Sequence, residues 1–221
     1  LGYSFNFAVV LTNWPYLVSG VGTTLMVTFA SLIAGLAIGL IIALLRLSSQ
    51  RVLSAIGWLY VAVLRNTPAL VQLMWVYYCL PILTGVELNT AASCIVALAL
   101  HGGAYIGEII RGGIRGVDPG QVEAGRTIGL SRAQVTRKIV LPQAIRRMLA
   151  PLVNEAVTIL KFSALVSVLG VADLMYQGQT LATTTFRPLE IFTFVALEYL
   201  ALCSAFSFAA SLVERRFAVA D

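Results

Sequence analysis

Five apolar stretches divide the sequence, at about residues 17–45, 57–83, 91–110, 149–170 and 190–213. Each is long enough to cross a bilayer core, which takes roughly 20 helical residues. Backbone polar groups in lipid must be satisfied within the segment, so the expected fold class is all-α, a polytopic membrane protein with about five transmembrane helices. Composition agrees: 59% of the 221 residues are hydrophobic and 11% charged, with a mean hydropathy of +0.89. Soluble domains carry about a quarter charged residues, so a soluble enzyme is excluded. No composition shift or linker divides the chain, and 1–221 reads as a single transmembrane domain with no internal repeat.

The charges set the topology. Lys and Arg total 15 against 10 Asp and Glu, a net charge of +5. In this setting the excess argues for membrane orientation and not for nucleic acid. Arg46 and Arg51 lie in the loop after the first stretch, Arg111 and Arg115 after the third, Arg146-Arg147 before the fourth, and Glu214-Arg215-Arg216 after the fifth. The outer connections are Pro81 to Thr90, with the lone acid Glu87, and Val171 to Pro188, with Asp173 and Arg187. Of the 15 basic residues all but Lys161 and Arg187 fall at or near one face. The positive-inside rule therefore puts the N-terminus outside and the C-terminus in the cytoplasm. Residues 1–45 carry no charge to form a basic n-region, so no cleavable signal peptide is expected. Cys79, Cys94 and Cys203 sit in apolar stretches and read as small buried residues, with no disulfide or metal site.

One long loop, 118–142 (DPGQVEAGRTIGLSRAQVTRKIVLP), is polar and basic between apolar neighbours. It carries two helix starts. Asp118 can cap a first helix with Pro119 at its first position and Gln121 reaching back, and Gly129 supplies a left-handed stop. Ser131 and Gln134 have capping-box spacing, and Val135 and Ile139 give the second helix an apolar stripe before Pro142 interrupts it. The expectation is a short helix, a glycine corner and a second short helix at the membrane surface. Glu123-Ala124-Gly125, Gly129-Leu130 and, with nine residues between it and Gly129, Ile139-Val140-Leu141-Pro142 resemble the EAA loop of permease subunits of bacterial ATP-binding-cassette importers. The resemblance implies a coupling helix that docks on a cytoplasmic ATPase, with Glu123, Ala124, Gly125, Gly129, Leu130 and Pro142 as its coupling residues.

Polar residues inside the stretches are the other candidates, because a charge at membrane depth costs at least about 2.5 to 3.5 kcal/mol and is retained for a reason. Gly20, Gly35 and Gly39 are spaced for close helix contact. Arg65-Asn66-Thr67-Pro68 interrupts the second stretch, where Pro68 predicts a kink or break. The break either exposes backbone and Thr67 to a substrate or is structural, with Arg65 an interfacial anchor. His101, Tyr105 and Glu108 share one face of the third helix. Glu155 and Lys161 lie in the fourth and Glu198 in the fifth. Gly22-Thr23-Thr24, Arg65 to Leu73, Tyr105 to Ile114, Asn154-Glu155 and Lys161 to Leu165 are similar to elements of polar amino-acid permeases. That resemblance covers Gly22 to Arg216 and departs from the family at Asn66 and Phe162. It implies a type I importer fold and a substrate path drawing on Glu155, Lys161, His101, Tyr105, Glu108 and Thr67. Equally, Glu155 could be neutralised by Arg65 or Arg111, and Lys161 by Glu108 or Glu198.

No GxxxxGK[ST], HExxH or GxSxG occurs, so no catalytic residue is expected in this chain. The resemblance implies no cofactor here, and ATP with Mg on a partner ATPase subunit. Further implied partners are a second permease subunit, identical or homologous, an extracytoplasmic solute-binding protein, the lipid bilayer of a bacterial inner membrane and a polar amino acid, with no nucleic acid. The competing class is an ion-coupled secondary transporter or proton channel using Glu108, Glu155, Lys161 and Glu198 as a relay.

Overall fold

The computed structural model describes residues 3–217. Among them every regular element is helical: α1 (Ala8–Leu47), α2 (Arg51–Arg65), α3 (Ala69–Thr84), α4 (Thr90–Arg115), α5 (Pro119–Thr127), α6 (Arg132–Val135), α7 (Leu141–Phe162), α8 (Leu174–Thr185) and α9 (Pro188–Phe217). Four helical runs are long and apolar enough to cross a membrane: α1, α4, residues 132–169 and α9. The pair α2 and α3 meets the same length and hydropathy test only when taken together, across a 106° bend. The bend falls where Pro68 predicted it, because Pro68 has no N–H to give and holds Thr67 away from helical geometry. The side chains of the expected anchor Glu214-Arg215-Arg216 lie outside the described residues.

The most extensive helix contact is α1 against α4. On α1 Gly35 and Gly39, and on α4 Gly103 and Gly107, each four apart, bring the two backbones together. A Cβ at Gly39 would lie 2.5 Å from Ile106 Cγ2 and 3.0 Å from the Gly107 nitrogen, and one at Gly107 would lie 3.2 Å from the Gly39 carbonyl. Lipid is as apolar as leucine, so helices associate here through such close van der Waals approach and not through a hydrophobic drive. Gly20, in contrast, receives the start of α8: a Cβ there would meet Leu174 Cα at 2.6 Å, and one turn on Thr24 Oγ1 accepts the Leu174 N–H at 3.1 Å.

Two elements differ from the expectation. Pro142 does not interrupt a helix. Thr136–Val140 forms a π turn in which the Leu141 N–H reaches the Thr136 carbonyl, and α6, this turn and α7 run on as one helix. A helix widened by one residue makes room for the ring where the α pattern would drive it into the carbonyl four residues back. The helical run that contains the fourth apolar stretch is therefore longer than 149–170 and begins inside the 118–142 loop. The second outer connection is not a loop either. Asp173 caps α8 by accepting the Tyr176 N–H at 2.8 Å, and Leu174, Leu181 and Ala182 of α8 are buried with Leu17, Ile191 and Val195. Tyr199 on α9 donates to the other Asp173 oxygen at 3.1 Å.

Gly39→Ala should cost about 1 to 3 kcal/mol, because the added methyl has no space against Ile106. Gly22→Ala, where nothing lies within 4 Å, should leave stability unchanged. Thermal unfolding in detergent compares the two.

Candidate functional site

The 118–142 segment folds as a helical hairpin. Asp118 Oδ1 accepts the Gly120 N–H at 2.7 Å and Pro119 opens α5. Ser131 and Gln134 form a reciprocal capping box, Gln134 N–H to Ser131 Oγ at 3.3 Å and Ser131 N–H to Gln134 Oε1 at 2.8 Å. Between them Gly129 adopts φ +84°, which glycine takes without steric cost, and the Leu130 N–H returns to the Gly125 carbonyl at 3.1 Å.

Gly125 is buried and faces the second limb. A Cβ there would lie 2.6 Å from Ile139 Cδ1, 3.2 Å from Val135 Cγ2 and 3.7 Å from Leu130 Cδ1. This explains the glycine after Glu123-Ala124: the limbs are in contact through it. Glu123, Ala124, Arg126 and Thr127 point to solvent, and Ile128 is 76% exposed at the corner. At the base of the hairpin an Arg147 guanidinium N–H donates to the Gly116 carbonyl. Because α6, the π turn and α7 are continuous, one helix runs about 35 Å from Arg132 in the hairpin to Glu155.

Within the spans a polar cluster forms around the broken helix. Gln72 Nε2 donates to the Leu64 and Thr67 carbonyls at 2.7 and 2.8 Å, the groups that the Pro68 break releases. Its Oε1 lies 3.2 Å from His101 Nδ1. The His101 ring lies between Tyr105, tilted by 41° with centroids 5.1 Å apart, and Phe162, edge to face at 72° and 5.2 Å, and the Arg65 guanidinium lies 5.0 Å from the Tyr105 ring centre. Beside this cluster a cleft of about 400 Å³ is lined by Arg46, Trp58, Arg65, Asn66, Tyr105 and Glu108, among others. Thr67, in the break itself, gives its hydroxyl to the Val63 carbonyl in the last turn of α2 at 2.7 Å.

The two acids of interest have different surroundings. Glu108 is held by Arg46 Nε at 3.1 Å and by Arg111 at 2.6 Å, which ties α1 to α4. Glu155 is 7% exposed, its Oε1 has no hydrogen-bond partner among the described residues, and it forms no ion pair among them. Arg111 is thus engaged by Glu108 and not by Glu155. Glu155 Oε1 would be 3.8 Å from a Cβ at Gly102, so it approaches α4 next to His101. Lys161 is exposed and pairs with neither Glu108 nor Glu198 among the described residues. Sequence reasoning missed Gln72, although a lone amide four residues after a membrane proline was a usable signal: the carbonyls freed by the break need a donor.

The family described as "binding-protein-dependent transport system inner membrane component" matches residues 35–219. The chain is similar to the glutamine transport system permease protein GlnP of Escherichia coli (strain K12), 35% identical over 97% of this chain and 99% of that one. It is also similar to the arginine transport system permease protein ArtQ of Bacillus subtilis (strain 168), 34% identical over 96% and 97%. A chain from the crystal structure of an amino acid ABC transporter with histidines superposes with a TM-score of 0.90 at 38% identity, covering 97% of this chain and 100% of that one.

Gly125→Val should force Val135 and Ile139 away and loosen the hairpin by about 1 to 3 kcal/mol. Limited proteolysis should then cut within 118–142 at protease levels that leave the parent intact.

Proposed function

The chain belongs to the family of inner membrane components of binding-protein-dependent transport systems, and on that premise we propose how its hairpin and its polar cluster drive import. It is a multi-pass permease subunit of an amino-acid ABC importer and not itself an enzyme; hydrolysis takes place on a separate ATPase subunit, and a solute-binding protein delivers the substrate.

In the proposed mechanism the hairpin centred on Glu123 to Gly129 docks on the ATPase, where ATP and Mg²⁺ act. Glu123, Ala124 and Ile128 offer the contact, and Gly125, Gly129, Leu130 and the π turn before Pro142 keep the element stiff. Docking that differs between the open and closed ATPase shifts the equilibrium between inward-open and outward-open spans. A second permease subunit, identical or homologous, completes the path. The N-terminus lies outside and the C-terminus in the cytoplasm, in agreement with the basic residues at the hairpin end of the molecule.

The polar amino acid passes the cluster at the α2–α3 break. Glu155 takes its ammonium group, and His101, Tyr105 and the backbone at Thr67 line the way. Lys161 is the candidate partner of the carboxylate, and Glu108, neutralised by two arginines, sets the charge at the cytoplasmic mouth. The observation that carries this reading is a buried, unpaired carboxylate on the same helix that begins in the docking hairpin.

Purification of the tagged chain from its membrane should bring down a nucleotide-binding subunit, and Glu123→Lys should abolish that association. A stable oligomer of this chain alone, without ATPase activity, contradicts the importer reading. In proteoliposomes of the assembled importer, Glu155→Gln should reduce substrate uptake more than tenfold, since a hydrogen bond to a charged group contributes about 1.5 to 3 kcal/mol. ATPase association should be unchanged, and full uptake by this variant removes Glu155 from the path.

A further inference from the structure

The short connection between α1 and α2 does more than turn the chain. A groove of about 420 Å³ there is lined by Arg46, Ser48, Ser49, Arg51, Ser54 and Trp58, together with Ala55. Its lining contains two guanidinium groups and three hydroxyls, and no carboxylate. Arg46 is fixed from both sides: its stem packs on α2, where a Cβ at Gly57 would lie 3.0 Å from Arg46 Cγ, and its Nε donates to Glu108 at 3.1 Å. Its terminal nitrogens have no hydrogen-bond partner among the described residues, and neither has the exposed Arg51.

A second feature extends from the same groove. Val52, Ile56, Leu59 and Val63 stand at i, i+4, i+7 and i+11 along α2, so they form one stripe, and their exposures are 72%, 53%, 57% and 52%. Trp58, 57% exposed, lies on the groove side of α2 with Arg51, Ser54 and Ala55, about a third of a turn from this stripe. A set of anion-binding donors on one face of a helix, with an apolar track on the adjoining face, matches a molecule with an anionic head and a hydrocarbon tail. A free phosphate would use the first part only.

We propose that this groove is a binding site for an anionic phospholipid of the cytoplasmic leaflet, with the phosphate between Arg51 and Arg46, hydroxyl contacts from Ser49 and Ser54, and an acyl chain along Val52 to Val63. The site rests on the orientation proposed above, which places the α1–α2 connection in the cytoplasm. It gives the importer a lipid contact at the root of α2, the helix that ends at the break beside the polar cluster. Arg46 joins that contact to Glu108 and so to α4.

The test is native mass spectrometry of the assembled importer in detergent, titrated with phosphatidylglycerol or phosphatidylcholine of the same chain length. Phosphatidylglycerol should bind at one molecule per permease chain in preference to phosphatidylcholine. Arg51→Gln should weaken it roughly fivefold, as expected for one basic group at an anionic surface, and Ser49→Asp should weaken it at least as much. Arg115→Gln, on the same side of the membrane but outside the groove, should not alter it. Equal binding of the two lipids, or undiminished binding in both groove variants, overturns the proposal. Glycerol phosphate competing as strongly as the lipid also overturns it, in favour of a soluble anion. Each preparation is checked for the co-purified ATPase: its absence from the parent counts against the importer reading, whereas its presence with no lipid preference counts against the groove alone.

Discussion

The close approach of α1 and α4 is the constraint on which the rest of the molecule depends. Gly35 and Gly39 against Gly103 and Gly107 remove the side chains that would hold the two backbones apart. In a bilayer there is little hydrophobic gain from hiding leucine from lipid, so the close van der Waals contact that small residues permit largely decides which helices pair. Once α4 is set on α1, its other faces are assigned. His101 and Gly102 meet the break in the second span and Glu155 of α7, Glu108 meets Arg46 of α1, and Gly113 meets Met148 and Ala144 of α7. His101 and Glu108 of α4 thus meet polar groups from α3 and α1 around the helix that the glycines place at the centre.

The hairpin is built on a different principle, because it stands in water and must be stiff without lipid or a deep core. It uses caps at both helix starts, one left-handed glycine and one contact without a side chain, Gly125 against Val135 and Ile139. None of these contributes more than a kcal/mol or two. Together they leave few ways for the element to bend. The π turn at Thr136–Val140 lets the helix continue past Pro142 where a break would have formed a joint.

Much of this was legible in the chain. Span length and hydropathy placed the apolar helices long enough to cross a membrane, and the broken pair after the first of them. The caps at Asp118 and Ser131, the corner at Gly129 and the bend at Pro68 are local events, each decided by residues within one or two turns. The failures share a cause. α8 was read as a loop because its residues, Leu174 to Thr185, are short in apolar length and rich in threonine; what makes them helical is burial against α1 and α9, which no local window contains. Pro142 was read as a stop because proline usually is one, yet the outcome depends on whether the surrounding helix is held firmly enough to accommodate a π turn.

The sequence by itself determined an all-helical membrane chain, its long apolar segments and a capped loop between two of them, since those follow from length, hydropathy and nearest neighbours along the backbone. It also restricted the chemistry to a handful of intramembrane polar residues. Only the tertiary structure decided which of them work together. His101 is joined to Gln72 across the break and not to Glu108 on its own face, Glu108 is neutralised by arginines from two helices, and Glu155 is left unpaired beside Gly102. The physical reason is that a partner for a buried charge is chosen by the few ångströms between helices, and those distances are set by glycines and a proline remote in sequence from the charges they serve.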